Sequence, residues 1–265
     1  MVRTWLLVLC AAAAAMAARA QPSASLVLEN ASVRAEFGPR GLEAVSDRTW
    51  QDAIHLTRDE FAVTVDGRTI ESTALGEPQR TRTGDIVTYT WAAGAYRIEV
   101  RYEIRPDWRF VSKQIAIARG SGGDTMRVDT IRAIDAAIDA DVESQYVPRA
   151  PRPALGTKAY GMFLRLPNDR GLLALVQNPF LDVHQDGRSF AIGYQPEMEW
   201  PRGEGPFPSD RALFVPYVRT GRSIAAEMTR EWAPVPEEPT TSGMDEAEVV
   251  AFTDAVRSFL LYKPS

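Results

Sequence analysis

Tyr96-Arg97-Ile98-Glu99-Val100-Arg101-Tyr102-Glu103-Ile104-Arg105 alternates apolar and charged residues without a break. In an extended strand successive side chains point to opposite faces. The pattern therefore buries Tyr96, Ile98, Val100, Tyr102 and Ile104 and wets the five charges between them. A helix would scatter the same apolar set around its 3.6-residue turn. Weaker versions of the pattern lie on both sides. Leu26, Leu28, Val33, Ala35 and Phe37 come first; Phe61, Val63 and Val65 then run into Asp66-Gly67, a pair suited to a tight hairpin back along Thr69 to Ala74. Val111 to Ile117, Val128 to Ile134, Gly161 to Leu166, Gly171 to Gln177 and Ala212 to Val218 follow. Asp186-Gly187 turns a second hairpin between Leu181 and Tyr194. The expected fold class is all-β, a large antiparallel sandwich.

Other stretches break the pattern. Residues 143 to 158 contain Pro148, Pro151, Pro153 and Gly156 and read as a surface loop without ladder partners. Gln195 to Asp210 is a second Pro- and Gly-rich loop. Pro234 to Pro239 reads as a short linker to a C-terminal α-helix. Ser242 is its expected N-cap, with Asp245 three residues on in a capping-box arrangement. Val249, Phe252, Val256, Phe259 and Leu260 form its apolar stripe. Such a helix needs a surface, either the sandwich or a further domain.

The first twenty residues have the layout of an export signal. Arg3 supplies the positive start, Trp5 to Ala17 the apolar run, and Ala18-Arg19-Ala20 the small-residue cleavage site. Cleavage after Ala20 removes Cys10, the chain's one cysteine, so the exported protein, periplasmic or extracellular, relies on a full core rather than disulfides. It also removes Arg3 and Arg19, leaving 28 basic against 35 acidic residues, a net charge of −7. With no basic run, nucleic acid is excluded as a partner, and nothing basic and amphipathic points to a membrane after cleavage. Neutral small ligands remain.

Motifs for catalysis are sparse. There is no G-x-S-x-G elbow, phosphate loop or dinucleotide fingerprint. His55 is expected in a loop and His184 beside the Asp186-Gly187 hairpin, 129 positions away; neither a metal nor a cofactor is expected. The stretch from Tyr194 to Asp210 stands out because it sets Glu197, Glu199, Trp200, Arg202 and Asp210 on a proline-stiffened loop. Aromatic faces pack on the C–H surfaces of sugars while carboxylates and guanidinium groups hold hydroxyls. The competing reading has Trp200 and Phe207 folding back to plug the sandwich edge. Glu197 and Glu199 are too loosely placed to read as a hydrolytic acid pair.

Leu26 to Phe37 followed by Gly41-Leu-Glu-Ala-Val-Ser-Asp resembles the opening of the galactose-mutarotase-like β-supersandwich. That domain stands at the N-terminus of many retaining glycoside hydrolases, the alpha-galactosidase (melibiase) group among them. Phe110-Val-Ser-Lys-Gln-Ile-Ala-Ile is similar to the family's middle strand and Phe207-Pro-Ser-Asp to its late loop; the resemblance covers most of residues 24 to 235. It implies a signal peptide at 1–20, the supersandwich at 21–235, and at 236–265 a linker and helix leading toward a (β/α)8 barrel that carries the catalytic carboxylates. The chain reaches Ser265 where the first barrel strand would stand, so the resemblance implies the non-catalytic part of a longer exported glycoside hydrolase. Carbohydrate would be its partner, Trp200 a stacking surface, and Glu197, Glu199, Arg202, Asp210 and His184 contacts to the sugar. Stand-alone mutarotases use histidines and a carboxylate in motifs such as His-x-Tyr-Phe-Asn, which this sequence lacks. Two alternatives stay open: a free-standing carbohydrate-binding module, and an epimerase acting through His184 with Glu197 or Glu199.

Overall fold

In the computed structural model the described residues are 26–50, 52–120, 124–147, 159, 161–178, 180–220 and 244–260. The expected leader, the Pro/Glu linker and Ser242 lie outside them. The chain opens with β1 (Leu26–Glu29), β2 (Val33–Phe37), β3 (Leu42–Asp47), β4 (Ile54–Val65) and β5 (Arg68–Glu71). A meander follows of β6 (Gln79–Thr83), β7 (Ile86–Ala93), β8 (Tyr96–Glu103) and β9 (Val111–Arg119). Next come β10 (Thr125–Ile138), β11 (Ser144–Tyr146), β12 (Met162–Leu166), β13 (Arg170–Val176), β14 (Asp182–Asp186) and β15 (Ser189–Tyr194). β16 (Met198–Pro201), β17 (Phe207–Pro208), β18 (Ala212–Val218) and the helix α1 (Glu246–Leu260) complete the series.

These strands make two nine-stranded sheets. Sheet I has the order β1-β2-β3-β4-β10-β15-β14, with β5 added beside β4 and β16 beside β10. Sheet II has the order β11-β12-β13-β18-β9-β8-β7-β6, with β17 beside β9. Their inner faces share one apolar interior, to which sheet I gives Phe37, Val63 and Ile131 and sheet II gives Tyr89, Ile98, Ile115 and Phe214. This is the antiparallel sandwich that the alternation requires. β8 buries Tyr96, Ile98, Val100 and Tyr102 as expected, and Ile104 just beyond its end is buried too. Glu103 departs from the pattern. It is buried on the outer face, 2.8 Å from Arg105 and 3.8 Å from Arg101, because Arg211 closes over it at 4.0 Å.

Two expected loops turn out to be pinned. Ser144 to Tyr146 pair with β12, so the segment from 143 has a ladder partner after all; residues 148–158 are not described. The Gln195–Asp210 segment pairs with both sheets, through β16 on β10 and β17 on β9. His55, expected in a loop, is an exposed residue of β4.

β4 explains how the sheets are tied together. Its buried residues fall on even positions at Ile54 and Leu56 and on odd positions at Phe61, Val63 and Val65. Period two cannot absorb that change without one extra residue, and the pairing with β10 slips between Leu56 and Arg58, where two steps of β4 face one of β10. The slip turns Asp59 inward. Its carboxylate accepts Lys113 Nζ at 2.5 Å, Tyr102 Oη at 2.5 Å and the Leu42 backbone N–H at 2.9 Å. Lys113 comes from β9 and Tyr102 from β8, so one carboxylate of sheet I is held by two strands of sheet II. Lys113 also donates to the Glu60 carbonyl at 2.9 Å. The Asp59 and Lys113 side chains are each 1% exposed. Burial first, then the Asp59 charge and hydrogen bond, push the Tyr102 phenol well above its ordinary range, so it stays a donor.

α1 lies on sheet II against β18 and β13. Its cap is one turn later than expected. Asp245 caps the helix: its carboxylate accepts the Ala247 N–H at 2.8 Å while the Glu248 carboxylate accepts the Asp245 N–H at 2.9 Å. Glu248 also takes Arg165 Nε and Nη2, both at 2.8 Å, and Tyr217 Oη at 2.9 Å. Glu248, Ala251 and Ala255 are its most buried residues; of the expected stripe Val249 and Phe252 pack against the same cluster, Phe252 6.4 Å from Phe163, whereas Val256 stays 36% exposed. The side chains of Phe259 and Leu260 lie outside the described residues.

A sealed charge that loses its partner is costly. Lys113→Met or Asp59→Leu alone should lower stability in urea unfolding by about 3–5 kcal/mol, and the double replacement should recover much of that loss. Additive losses in the double variant would show that the two side chains are not coupled.

Candidate functional site

The outer face of sheet I carries a groove of about 510 Å³. Register builds it. Glu71, Ala62, Arg132, Gly193 and Asp182 stand opposite one another on β5, β4, β10, β15 and β14. The small residues of that row, with Ala191 next to it, leave space on both sides of Arg132. Gly193 cannot be enlarged, because a Cβ there would meet the Ile131 carbonyl at 2.8 Å. Along one side Thr69, Thr64 and Thr130 form a hydroxyl ladder, with Thr64 Oγ1 at 3.1 Å from Thr69 Oγ1 and at 2.7 Å from Thr130 Oγ1. The opposite row runs Glu60, Asp135, Ala191, His184.

β10 aims the charged groups. Its buried positions change phase from Val128 to Ile131 and again from Ala133 to Ile134, and its pairing slips next to Arg132 on both neighbouring strands. Such bulges re-aim side chains beside functional sites. Here they set Arg132 Nε 3.1 Å from Asp135 Oδ2 and Nη2 3.6 Å from Glu71 Oε1, with Arg58 Nη2 3.0 Å from the other Asp135 oxygen. The Arg132–Asp135 contact is ionic only. The buried Nε finds no hydrogen-bond acceptor among the described residues, while the Arg132 side chain as a whole is 41% exposed and lines the groove.

Of the six residues expected to form the site, His184 lines this groove, exposed on β14. Trp200 and Arg202 border a separate hollow of about 170 Å³ with Arg119 and Met126. Trp200 is partly buried against the core, edge-on to Phe207 at 5.4 Å, and donates Nε1–H to the Gly205 carbonyl at 3.0 Å. The fold-back arrangement is the one adopted. Arg202 Nη2 donates to the Gly120 carbonyl at 3.3 Å. Glu197 is exposed with φ 48°, the left-handed region, and Glu199 is exposed on β16. Asp210 is half-buried, accepting Asn178 Nδ2 at 2.9 Å while its own N–H reaches Tyr194 Oη at 2.7 Å. Burial raises its pKa, opposed by the hydrogen bonds from Asn178 and Tyr194. The six therefore do not converge. Glu71, Arg132, Asp182 and the threonine ladder went unnoticed in the sequence, although the phase break in β10 around Arg132 was visible there.

Glu71 and Asp182 are four strand steps apart, about 19 Å at ~4.8 Å per step, whereas a hydrolytic pair needs about 5–9.5 Å.

No family model matches this chain, and no curated protein matches it. Solved structures similar to it include a galactose mutarotase related enzyme from Lactobacillus acidophilus, 8% identical with a TM-score of 0.44, covering 72% of this chain and 96% of that one. A putative aldose 1-epimerase from Escherichia coli K12 is 10% identical with a TM-score of 0.40, covering 72% of this chain and 98% of that one. The alpha-galactosidase from Lactobacillus brevis is 11% identical with a TM-score of 0.42 over 73% of this chain. The chain spans only 39% of that enzyme's length. These are the groups named by the sequence resemblance, and no residue role is carried over from them.

Glu60, paired with Asp135 across β4 and β10, carries a pH signature. Burial first, then the Asp135 charge, raises its carboxyl above the ordinary 4.5, against the pull of Arg58, Arg40 and Lys113. A raised acid prefers its proton in the folded state, so stability falls as pH rises from 4.5 through the folded value and the penalty is complete above it. Glu60→Gln should therefore raise the melting temperature at neutral pH, with the gain shrinking toward zero as pH drops below 4.5. A gain that persists in acid would point to packing instead.

Proposed function

We propose that this chain is an exported, non-catalytic carbohydrate-binding β-sandwich that receives a neutral saccharide in the groove of sheet I. The observation that carries the reading is Arg132. It stands between small residues with its guanidinium side chain 41% exposed in the groove, beside a hydroxyl ladder and within a row that ends in Glu71 and Asp182. A sugar ring presents hydroxyl oxygens to such donors and hydroxyl protons to such carboxylates, and charged partners make the stronger bonds. The apolar strip of Ala62, Ala191 and Gly193 suits its C–H face. Beside a glycoside hydrolase barrel, as the sequence resemblance implies, it would shape the approach of substrate; as a free-standing module it would use the same groove.

Isothermal titration of the full chain with neutral oligosaccharides tests this. Arg132→Ala should weaken binding about 10- to 100-fold, the scale of one charge-assisted hydrogen bond, with unchanged near-UV circular dichroism. Polarimetry settles the competing enzyme reading: accelerated anomer exchange that disappears in His184→Ala would replace binding by epimerisation. A mature N-terminus other than Gln21 on the exported protein would overturn the assigned cleavage.

A further inference from the structure

Lysine is scarce in this chain. Of its 30 basic residues only Lys113, Lys158 and Lys263 are lysines, the rest being arginines. Lys113 is the one lysine among the described residues, and its side chain and that of its partner Asp59 are each 1% exposed. Arginine is the common choice for a buried ion pair, and its guanidinium does not give up its charge. An amine differs in one chemical respect. Once it releases a proton it is a nucleophile.

The two groups are arranged for acylation of that amine. Lys113 Nζ lies 2.5 Å from Asp59 Oδ1, closer than the about 2.7–2.9 Å of an ordinary charge-assisted bond. Cγ is one C–O bond beyond Oδ1, which sets Nζ at the edge of the about 3–3.5 Å from which nucleophiles attack. The other carboxylate oxygen takes no part in this contact. Oδ2 accepts Tyr102 Oη at 2.5 Å and the Leu42 N–H at 2.9 Å, two donors placed as in an oxyanion hole. Gly41 permits the close approach, since a Cβ there would stand 3.0 Å from Oδ2. β3 and β4 pair only at Ala44–His55 and Val45–Ile54. Where they separate, a cavity of about 390 Å³, lined by Asp59 and Tyr102 and backed by buried Phe61 and Trp91, leaves room for a released water molecule.

We infer that Lys113 and Asp59 condense after folding into an intramolecular isopeptide bond joining β9 to β4. A proton passes from Nζ to Oδ1 along their hydrogen bond, which removes two charges that are costly to keep out of water. The Nζ lone pair then attacks Cγ, and Oδ2 carries the negative charge against Tyr102 and Leu42. A second proton moves from nitrogen to Oδ1, the Cγ–Oδ1 bond breaks and water leaves. Of the three ammonium protons two depart in that water and one stays on the amide, so no oxidant or cofactor is required. Effective concentrations of well-oriented partners reach about 10⁵–10⁸ M, far above that of the water opposing the condensation. The product needs no rearrangement. Its N–H keeps the Glu60 carbonyl, 2.9 Å from Nζ, and its carbonyl oxygen keeps Tyr102 and Leu42.

The chain has a single cysteine and hence no internal disulfide. The isopeptide bond would supply a covalent tie between the sheets, joining positions 54 apart. The inference does not depend on the groove. Single and double replacements of the pair all lack the bond, so the recovery expected of the double variant still reports the stranded charge.

Intact-mass spectrometry of the full chain, purified folded and then unfolded in urea, tests it. Wild type should be lighter by one water than the sequence from its measured N-terminus, and Lys113→Met should carry its full sequence mass. Fragmentation of a wild-type digest should find the segments around Asp59 and Lys113 joined through their side chains; that observation suffices if Lys113→Met does not fold. A wild type at full sequence mass would overturn the proposal. So would a deficit that persists in Lys113→Met, or one that fragmentation places at Asp66-Gly67 or Asp186-Gly187, where a succinimide also loses water.

Discussion

One buried carboxylate sets the distance and register between the two sheets. Asp59 belongs to sheet I, yet its partners Lys113 and Tyr102 rise from adjacent strands of sheet II, and the side chains of the ion pair are almost entirely shielded from water. Apolar packing alone tolerates sliding of one sheet over the other, because the hydrophobic effect has no direction. A three-donor carboxylate does not. Hydrogen bonds of this kind lose their strength within a fraction of an ångström and a few tens of degrees. The sandwich is thus held cohesively by its aliphatic and aromatic interior and positionally by polar contacts across it, the sealed Asp59 cluster together with those from Tyr89 to the Gly38 carbonyl and from Asn30 to the Arg105 and Trp108 carbonyls.

The same local irregularity serves both cavities. An extra residue in β4 turns Asp59 inward, and the matching breaks in β10 turn Arg132 and Asp135 outward to the groove. Where β3 departs from β4, the inward Asp59 ties the Leu42 backbone across the gap, and the space beside it remains as the aromatic-walled cavity. The core tie and the shape of the groove are therefore not separable along this strand. A substitution that restored strict alternation in β4 would remove the tie and the shape of both cavities together.

The architecture was legible because period two survives in single segments. Tyr96 to Glu103 announces its strand without reference to any other part of the chain, and Asp66-Gly67 announces its hairpin, both residues having positive φ. The groove was not legible. Its row draws one residue from each of five strands, between Ala62 and Gly193 in sequence, and only topology makes them neighbours. The Tyr194–Asp210 segment drew notice for the opposite reason: its acids and aromatics are adjacent in sequence, yet the sheets divide them among separate tasks. Trp200 closes an edge, Asp210 anchors a turn and Glu197 to Glu199 face solvent. At the helix the cap is made by Asp245 and Glu248, a pair that the sequence reading passed over in favour of Ser242, which lies outside the described residues; Glu248 also meets Arg165 and Tyr217.

Glu248 has a mechanical corollary. It is gripped from β12 by Arg165, from β18 by Tyr217 and from its own first turn by Asp245. Restraints from three directions oppose both rolling of the helix about its axis and sliding along the sheet. The helix is keyed to its seat like a splined shaft, and its far end points along a bearing dictated by sheet II.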